Sequence, residues 1–182
     1  MIFDVSDPLL LGPVRSAMAG LATDTPPAFA ATELLRLVLQ AHAVATLCLV
    51  GLIWFVQVVH YPLMGNVGGN AFVAYEANHV RRTTWVVAPL MLVEAVTATL
   101  IGTLWLPDEA PARVFAIAGM ILLAVIWGST FFLQVPCHDR LRHGFDRSAW
   151  RRLILTNWFR TLAWTARGFI AVVLLTDLTA AA

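Results

Sequence analysis

The amino-acid sequence predicts an all-α integral membrane protein: an antiparallel bundle of four transmembrane helices with a short interfacial helix. The chain of 182 residues is 59% hydrophobic and 13% charged, whereas soluble domains average about 45–50% apolar and about 25% charged residues. Four segments reach the length of about 20 apolar residues that a helix needs to cross a bilayer. Tryptophans fall near the ends of these segments, where amphipathic rings favour the lipid headgroups.

The first 32 residues are predicted to form an irregular arm outside the membrane. Four prolines interrupt regular structure there, and Asp4 and Asp7 stand where a secretory signal would carry positive charge. Residues 33–178 are predicted to form one transmembrane domain. The formal net charge of +1 argues against nucleic-acid binding, which normally relies on a strong basic excess.

The boundaries of the four predicted spans follow from prolines and charges. Pro107 ends the second span, and Pro111 precedes the third. The first three spans lack the polar stripe that each helix of a soluble bundle carries, so their solvent is predicted to be lipid. The predicted spans are residues 34–56, 85–106, 114–135 and 153–175.

A short interfacial helix is predicted over residues 71–82, between the first two spans. Glu76 and His79 lie three residues apart on it, a spacing that directs both side chains to one face. Di-iron carboxylate bundles use two copies of this Glu-x-x-His unit, and only one is present here.

An internal repeat is indicated at the ends of spans one and three. The sequence Phe-Val-Gln-Val from Phe55 is followed by His60, and Phe-Leu-Gln-Val from Phe132 is followed by His138. This similarity predicts two related helical hairpins, with an axis along the membrane normal. Chance similarity is the alternative, since apolar residues are common at span ends.

The arginines predict the orientation of the chain. The excess of Lys and Arg in cytoplasmic loops places both hairpin loops in the cytoplasm and both termini outside. All basic residues are arginine, which is typical of a GC-rich bacterial genome, so the predicted location is a bacterial inner membrane. The two hairpin loops contain Arg81, Arg82, Arg140, Arg142, Arg147, Arg151 and Arg152.

A metal or haem site is predicted at the cytoplasmic ends of the spans. Imidazole and carboxylate ligands suit iron or copper, and His60 with His138 at equal depth could instead be the two axial ligands of a haem. Gln57 and Gln134 are predicted to orient these ligands through hydrogen bonds. The alternative is that the histidines bond only water and phosphate. The predicted ligands are His60, Glu76, His79 and His138.

Two charged residues are predicted to lie deep in the bilayer. Glu94 falls within span two and Arg160 within span four, where a charge costs about 2.5–3.5 kcal/mol on translocon scales. Such residues tend to pair, so a Glu94–Arg160 pair is expected, either as a structural contact or as part of a site. Asn157 and Trp164 share a polar face with Arg160 and are candidates for holding a cofactor or the polar head of a lipophilic substrate.

The leading functional hypothesis is a membrane oxidoreductase or electron-transfer component that acts on a lipophilic substrate. Glu76, Glu94 and Arg160 are its candidate catalytic residues, and a transition metal or haem is its expected cofactor. One alternative is a small proton-coupled transporter that works as a homodimer, with an intramembrane path through Glu94, Arg160, Arg167 and His42. Another is a non-catalytic membrane subunit or scaffold. Phosphate-loop, serine-nucleophile and zinc-protease motifs are lacking in the sequence.

Overall fold

The computed structural model describes residues 27–108 and 110–180, whose regular structure is entirely helical. Two π-helical segments, Val56–His60 and Thr130–Gln134, each join a long helix to a short one. Contacts divide the chain into the units Met1–Leu34 and Leu35–Ala182, and the bundle described below belongs to the second unit. The α-helices are α1 (Pro27–Phe55), α2 (Tyr61–Met64), α3 (Gly69–Leu104), α4 (Ala110–Ser129), α5 (Val135–Leu141) and α6 (Arg147–Ala180).

Four helical stretches among the described residues are long and apolar enough to cross a membrane. Each is longer than the predicted span at the same place in the sequence and contains it, except that the second helix ends at Leu104, short of residue 106. The predicted fold class is therefore confirmed, and the chain is a multi-pass membrane protein. The four stretches are Ala30–Met64, Gly69–Leu104, Ala110–Leu141 and Arg147–Asp177.

Two of the long helices begin earlier in the sequence than predicted. Residues 71–82 form the first turns of α3 rather than a separate interfacial helix, because neither glycine nor proline interrupts the chain between Asn70 and Pro89. Of the arm predicted for residues 1–32, residues 27–32 belong to α1, and the rest lies outside the described residues.

Both hairpins contain a π-helical segment with a proline two residues after its end. Pro62 lies in the first turn of α2, and Pro136 in the first turn of α5. A proline lacks the backbone N–H, and its ring crowds the carbonyl group four residues earlier, which here falls inside the π-helical segment. The wider π turn accommodates the ring without ending the helix. The same order of elements in both hairpins agrees with the predicted repeat.

The last helix begins at a side-chain cap. One carboxylate oxygen of Asp146 accepts hydrogen bonds from the backbone N–H groups of Ser148 (2.8 Å) and Ala149 (3.2 Å) and from the Ser148 hydroxyl (2.6 Å). These bonds, the hydroxyl first, hold the pKa of Asp146 below its ordinary value of 3.8. The preceding turn contains Gly144, whose φ of 143° favours glycine.

The apolar interior consists of three clusters along the bundle. The cluster nearest the hairpin loops includes Tyr61 and Phe72, the middle one includes Trp164, and the one at the opposite end includes Leu39 and Ile101. Many large apolar side chains on the outside of the bundle are exposed, which is the arrangement that a lipid solvent requires.

Candidate functional site

A chamber of about 400 Å³ lies among the helices, in the half of the bundle nearest the hairpin loops. Its deep end is bounded by Trp127 and Trp164, and apolar side chains such as Ile53 and Met91 form most of its wall. Nine polar side chains also belong to the lining. They are Tyr61, His79, Thr83, Thr84, Thr130, Gln134, His138, Arg142 and Arg160.

Arg160 is the buried cation of this chamber. Its side chain is 8% exposed, and its guanidinium carbon lies 5.0 Å from the centre of the Trp164 ring, a cation–π contact. Nη1 donates a hydrogen bond to Oδ1 of Asn157 over 3.2 Å. Within residues 27–108 and 110–180, no carboxylate forms an ion pair with Arg160. The guanidinium charge therefore lacks a counter-charge from the described part of the chain.

A hydrogen-bonded chain fixes the position of Arg160. Gln57 comes from the first π-helical segment, and its Oε1 accepts bonds from Nδ2 of Asn157 (2.9 Å) and from the Thr161 hydroxyl (3.4 Å). Its Nε2 donates to the backbone oxygen of Ile154 over 3.3 Å. Asn157 is fully buried, and its amide oxygen accepts the hydrogen bond from Arg160. The amide of Gln57 thus holds Asn157 in the orientation that Arg160 needs.

Three polar atoms of the chamber lining have no hydrogen-bond partner among the described residues. Two are donors, Nε of Arg160 and Nε1 of Trp127, and the third is an acceptor, Oε1 of Gln134. Buried polar groups are nearly always paired in folded proteins, and an unpaired one costs about 1–3 kcal/mol. All three atoms are themselves enclosed by protein, and they belong to side chains that line one cavity.

Glu76, His138 and Tyr61 form a second polar chain at the loop end of the chamber. Nδ1 of His138 lies 2.6 Å from Oε1 of Glu76, and Nε2 of His138 lies 3.1 Å from the Tyr61 hydroxyl. A tautomer with its proton on Nδ1 would donate to the carboxylate and leave Nε2 as an acceptor for the phenol. Glu76 is completely buried, while Tyr61 and His138 line the chamber.

The other two predicted metal ligands lie beside this chain. The rings of His60 and His79 stack with centres 4.3 Å apart, and the rings of His79 and His138 are 5.4 Å apart. The Tyr75 hydroxyl lies 3.4 Å from Nε2 of His60. The structure therefore brings the predicted histidines and Glu76 together at one end of the bundle.

These four side chains do not surround one point. Among the described residues, no group of three or more His, Cys, Asp or Glu side chains is arranged to hold a metal ion. Glu76 and Tyr61 engage the two nitrogens of His138, and Thr83 lies 3.1 Å from Nδ1 of His79. His60 in the first π-helical segment and His79 in α3 stack face to face instead.

The predicted role of the two glutamines is not seen in the structure. Gln57 and Gln134 were expected to orient the histidines, but Gln57 bonds to residues of α6, and Nε2 of Gln134 donates to Thr156 of the same helix over 3.0 Å. Both lie in π-helical segments, where the extra residue per turn redirects side chains relative to a continuous α-helix.

The predicted Glu94–Arg160 pair is replaced by a pair between Glu94 and Arg167. Nε of Arg167 lies 2.9 Å from Oε1 of Glu94, and Nη1 of Arg167 donates to the backbone oxygen of Gly119. Arg167 lies about two helical turns deeper than Arg160. The predicted pair rested on the depth of each residue within its predicted span. This depth is a poor guide here, because α3 begins many residues before the predicted second span, whereas α6 begins only a few residues before the predicted fourth span.

Further hydrogen bonds complete the surroundings of Glu94. Thr46 donates to Oε1 over 3.0 Å, and Nε1 of Trp164 donates to Oε2 over 3.1 Å. Trp164, predicted to contact a cofactor, therefore lines the chamber with its ring while its N–H is used by Glu94. Nearby, His42 contacts the Thr97 hydroxyl at 2.9 Å. Glu94 does not line the chamber, although the sequence suggested it as a catalytic residue.

Three residues of these centres are not among the residues that the sequence singles out for the site. Tyr61 bonds to His138, Tyr75 contacts His60, and Trp127 lines the chamber while its own N–H is enclosed and unpaired. Tyr61 follows His60 directly and precedes Pro62. This position next to a predicted ligand is the feature of the sequence that could have identified it. Nothing in the sequence around Trp127 distinguishes it from a lipid-facing tryptophan.

No protein-family model matches the chain, and no curated protein or solved structure is significantly similar to it. A functional interpretation therefore depends on the geometry of the chain's own residues.

Proposed function

We propose that the protein binds a lipophilic small molecule in the chamber and holds its polar head against Arg160. The observation that carries this proposal is a guanidinium that is buried, borders the chamber and lacks a carboxylate partner among the described residues. An uncompensated buried charge destabilises a protein by several kcal/mol. A ligand oxygen beside the guanidinium of Arg160 would offset part of that cost.

The size and walls of the chamber suit a lipophilic molecule. Small-molecule sites typically measure about 300–1,000 Å³, with mostly apolar walls and a few polar groups that fix orientation. The chamber of about 400 Å³ fits this description. Leu92 and Phe131 belong to its lining and are 57% and 55% exposed on the outer surface of the bundle. A ligand could therefore enter sideways from the bilayer.

The test places a bulky side chain in the chamber and measures which bound compounds the purified protein retains. Ala88 lines the chamber, and Ala88→Phe would occupy part of its volume, whereas Ala77→Phe adds the same ring at an exposed position of the same helix. Protein purified gently from its native membranes is extracted with organic solvent, and the extract is analysed by mass spectrometry. We expect a stoichiometric lipophilic compound with the wild type and Ala77→Phe, and its loss with Ala88→Phe. Equal amounts in all three samples would contradict the proposal.

A redox activity that depends on a transition metal or haem is a second candidate. The specific observation in its favour is the proximity of His60, His79 and His138 to one another and to the chamber, which His79 and His138 line. A cofactor bound there would adjoin a molecule held at Arg160. These imidazoles would have to turn to ligate it, and iron or copper suits their chemistry.

Absorption spectra and elemental analysis of the purified protein test this second candidate. The informative variant replaces His60, His79 and His138 together by alanine, and His143→Ala is the control because His143 is exposed. The candidate predicts a Soret band or stoichiometric iron or copper that the triple variant loses and the control keeps. An unchanged metal or haem content in the triple variant would exclude it.

We also propose that both hairpin loops face the cytoplasm of a bacterial inner membrane, with both termini outside. The support is the concentration of arginines on and beside the hairpin loops, in agreement with the positive-inside rule. A reporter that is active only outside the cytoplasm, fused after residue 182, should be active. The same reporter inserted after Gly144 should be inactive, and the reverse result would invert the orientation.

A further inference from the structure

We infer that the head of the bound molecule is an anion, with an ionised oxygen such as that of a carboxylate, phenolate or phosphate. This inference rests on the proposed binding function and specifies its ligand. It follows from the charges around the chamber and from the unpaired polar atoms of its lining residues.

The partners of Arg160 supply no negative charge. Asn157 accepts its Nη1–H with a neutral amide oxygen, the Tyr61 hydroxyl interacts with the guanidinium as a neutral group, and Trp164 offers only the face of its ring. These contacts orient a guanidinium but leave its full charge in place. Arginine cannot be neutralised by losing a proton inside proteins, so the charge persists on burial.

The two buried carboxylates closest to this region in the bundle are engaged elsewhere. Glu94 forms an ion pair with Arg167 and accepts two further hydrogen bonds, from Thr46 and Trp164. Glu76 bonds to His138 through Oε1, and its Oε2 has no partner, so it does not contact Arg160 either. Neither carboxylate therefore forms an ion pair with the Arg160 guanidinium that borders the chamber.

The unpaired hydrogen-bonding groups agree with an anionic oxygen. Nε of Arg160 and Nε1 of Trp127 are both donors, and a charged acceptor forms stronger hydrogen bonds than a neutral one. Oε1 of Gln134 is an unpaired acceptor in the same lining. A head group would reach these enclosed atoms only if their side chains turned toward the chamber.

Brominated probes can measure this preference, because bromine quenches tryptophan fluorescence at short range and Trp127 and Trp164 border the chamber. The protein is reconstituted in nanodiscs of zwitterionic lipid and titrated with a dibrominated fatty acid, or with the fatty alcohol of the same chain. Saturable quenching reports binding. We expect the carboxylate to bind about tenfold more tightly than the alcohol, the ratio given by one charge-assisted hydrogen bond.

Substitutions of single arginines show which residue causes the preference for the carboxylate. Arg160→Gln should bind the carboxylate and the alcohol equally, while Arg151→Gln, at an exposed arginine of the same helix, should keep the wild-type preference. Arg160→Lys retains the positive charge and should retain a preference for the carboxylate, which covers the case in which Arg160→Gln does not fold. Competition by phosphatidylglycerol would identify a lipid phosphate as the natural head, and lack of competition a free acid; either result supports an anion.

Two results would be negative in different ways. Equal saturable binding of acid and alcohol to the wild type, or a preference that survives in Arg160→Gln, would overturn the anionic head and leave the chamber as a binding site. Lack of saturable quenching by either probe, together with equal retention of extracted compounds by Ala88→Phe and the wild type, would overturn the proposed function itself.

Discussion

Arg167 and Glu94 form an ion pair in the interior of the bundle, with Nε and Oε1 2.9 Å apart and side-chain exposures of 2% and 0%. This pair neutralises two of the buried charges of the transmembrane helices. It also withdraws Glu94 from Arg160, which the sequence suggests as its partner. The charge left on Arg160 is the basis of the proposed ligand site.

Removing the charge of Glu94 should destabilise the protein strongly. Glu94→Gln leaves Arg167 buried without a counter-charge, for which losses of about 3–5 kcal/mol in the free energy of unfolding are typical. Reversible unfolding in mixed micelles measures the change. Asp108→Asn is the control, because Asp108 pairs with Arg113 at an exposed site, and surface pairs contribute about 0–1 kcal/mol. Equal stability of Glu94→Gln and the control would contradict the buried pair.

The same variant separates a scaffold from a ligand-binding protein. Glu94 does not line the chamber, so folded Glu94→Gln protein should still retain the extracted compound. A variant that is stable but has lost the compound would show that the ion pair belongs to the binding site.

Asn157 should matter for both stability and binding. Asn157→Leu keeps the size of the side chain but leaves Nη1 of Arg160 without its acceptor and Oε1 of Gln57 without its shortest donor. We expect a loss of about 1–3 kcal/mol in the free energy of unfolding, together with loss of the extracted compound. Asn78→Leu, at an exposed position of α3, should change neither quantity. Retention of the compound by Asn157→Leu would show that Arg160 is positioned without Asn157.

Gly65 should not tolerate a side chain. A Cβ atom there would lie 2.7 Å from the Trp150 ring, which is held by a hydrogen bond of 2.8 Å from Nε1 to the backbone oxygen of Tyr61. Gly65→Ala should lower the free energy of unfolding by about 1–3 kcal/mol, the range for overpacking. The matched variant Gly69→Ala has open space and should be neutral or slightly stabilising. Equal thermal stabilities would contradict the packing of Trp150 against the turn.

The cap of α6 should give the protein a dependence on acid pH. The pKa of Asp146 is lower in the folded state than its ordinary value of 3.8, so ionised Asp146 stabilises the fold above that value. This contribution is lost as the pH falls through the lower pKa of the folded state. Asp146→Ala should therefore be less stable than the wild type at neutral pH, and the difference should shrink below about pH 4. A difference that is independent of pH would exclude the ionised cap.

Much of the fold could be predicted because lipid imposes a simple rule on the sequence. A span must be apolar over about 20 residues, and prolines such as Pro107 and Pro111 separate one span from the next. The repeat around Gln57 and Gln134 indicated two equivalent positions, which are the π-helical segments. The π turns themselves were not predicted, because proline after an apolar run is also compatible with a simple kink.

The candidate site was predictable only in part. Glu-x-x-His spacing correctly placed Glu76 and His79 at the loop end, with His60 and His138. The partner of Glu94 was harder to predict from the sequence, because the register of α3 against α6 depends on where each helix begins. A difference of about two turns decided whether Glu94 met Arg160 or Arg167. The chamber itself arises from packing among four helices and leaves no pattern in the sequence.

Native mass spectrometry of the protein released from its own membranes tests the central claim most directly. The claim predicts a wild-type species that carries one lipophilic adduct, the same adduct at the same occupancy on Arg151→Gln, and a clearly lower occupancy on folded Arg160→Gln. An adduct of equal mass and occupancy on Arg160→Gln, or bare protein in every sample, would contradict binding at Arg160.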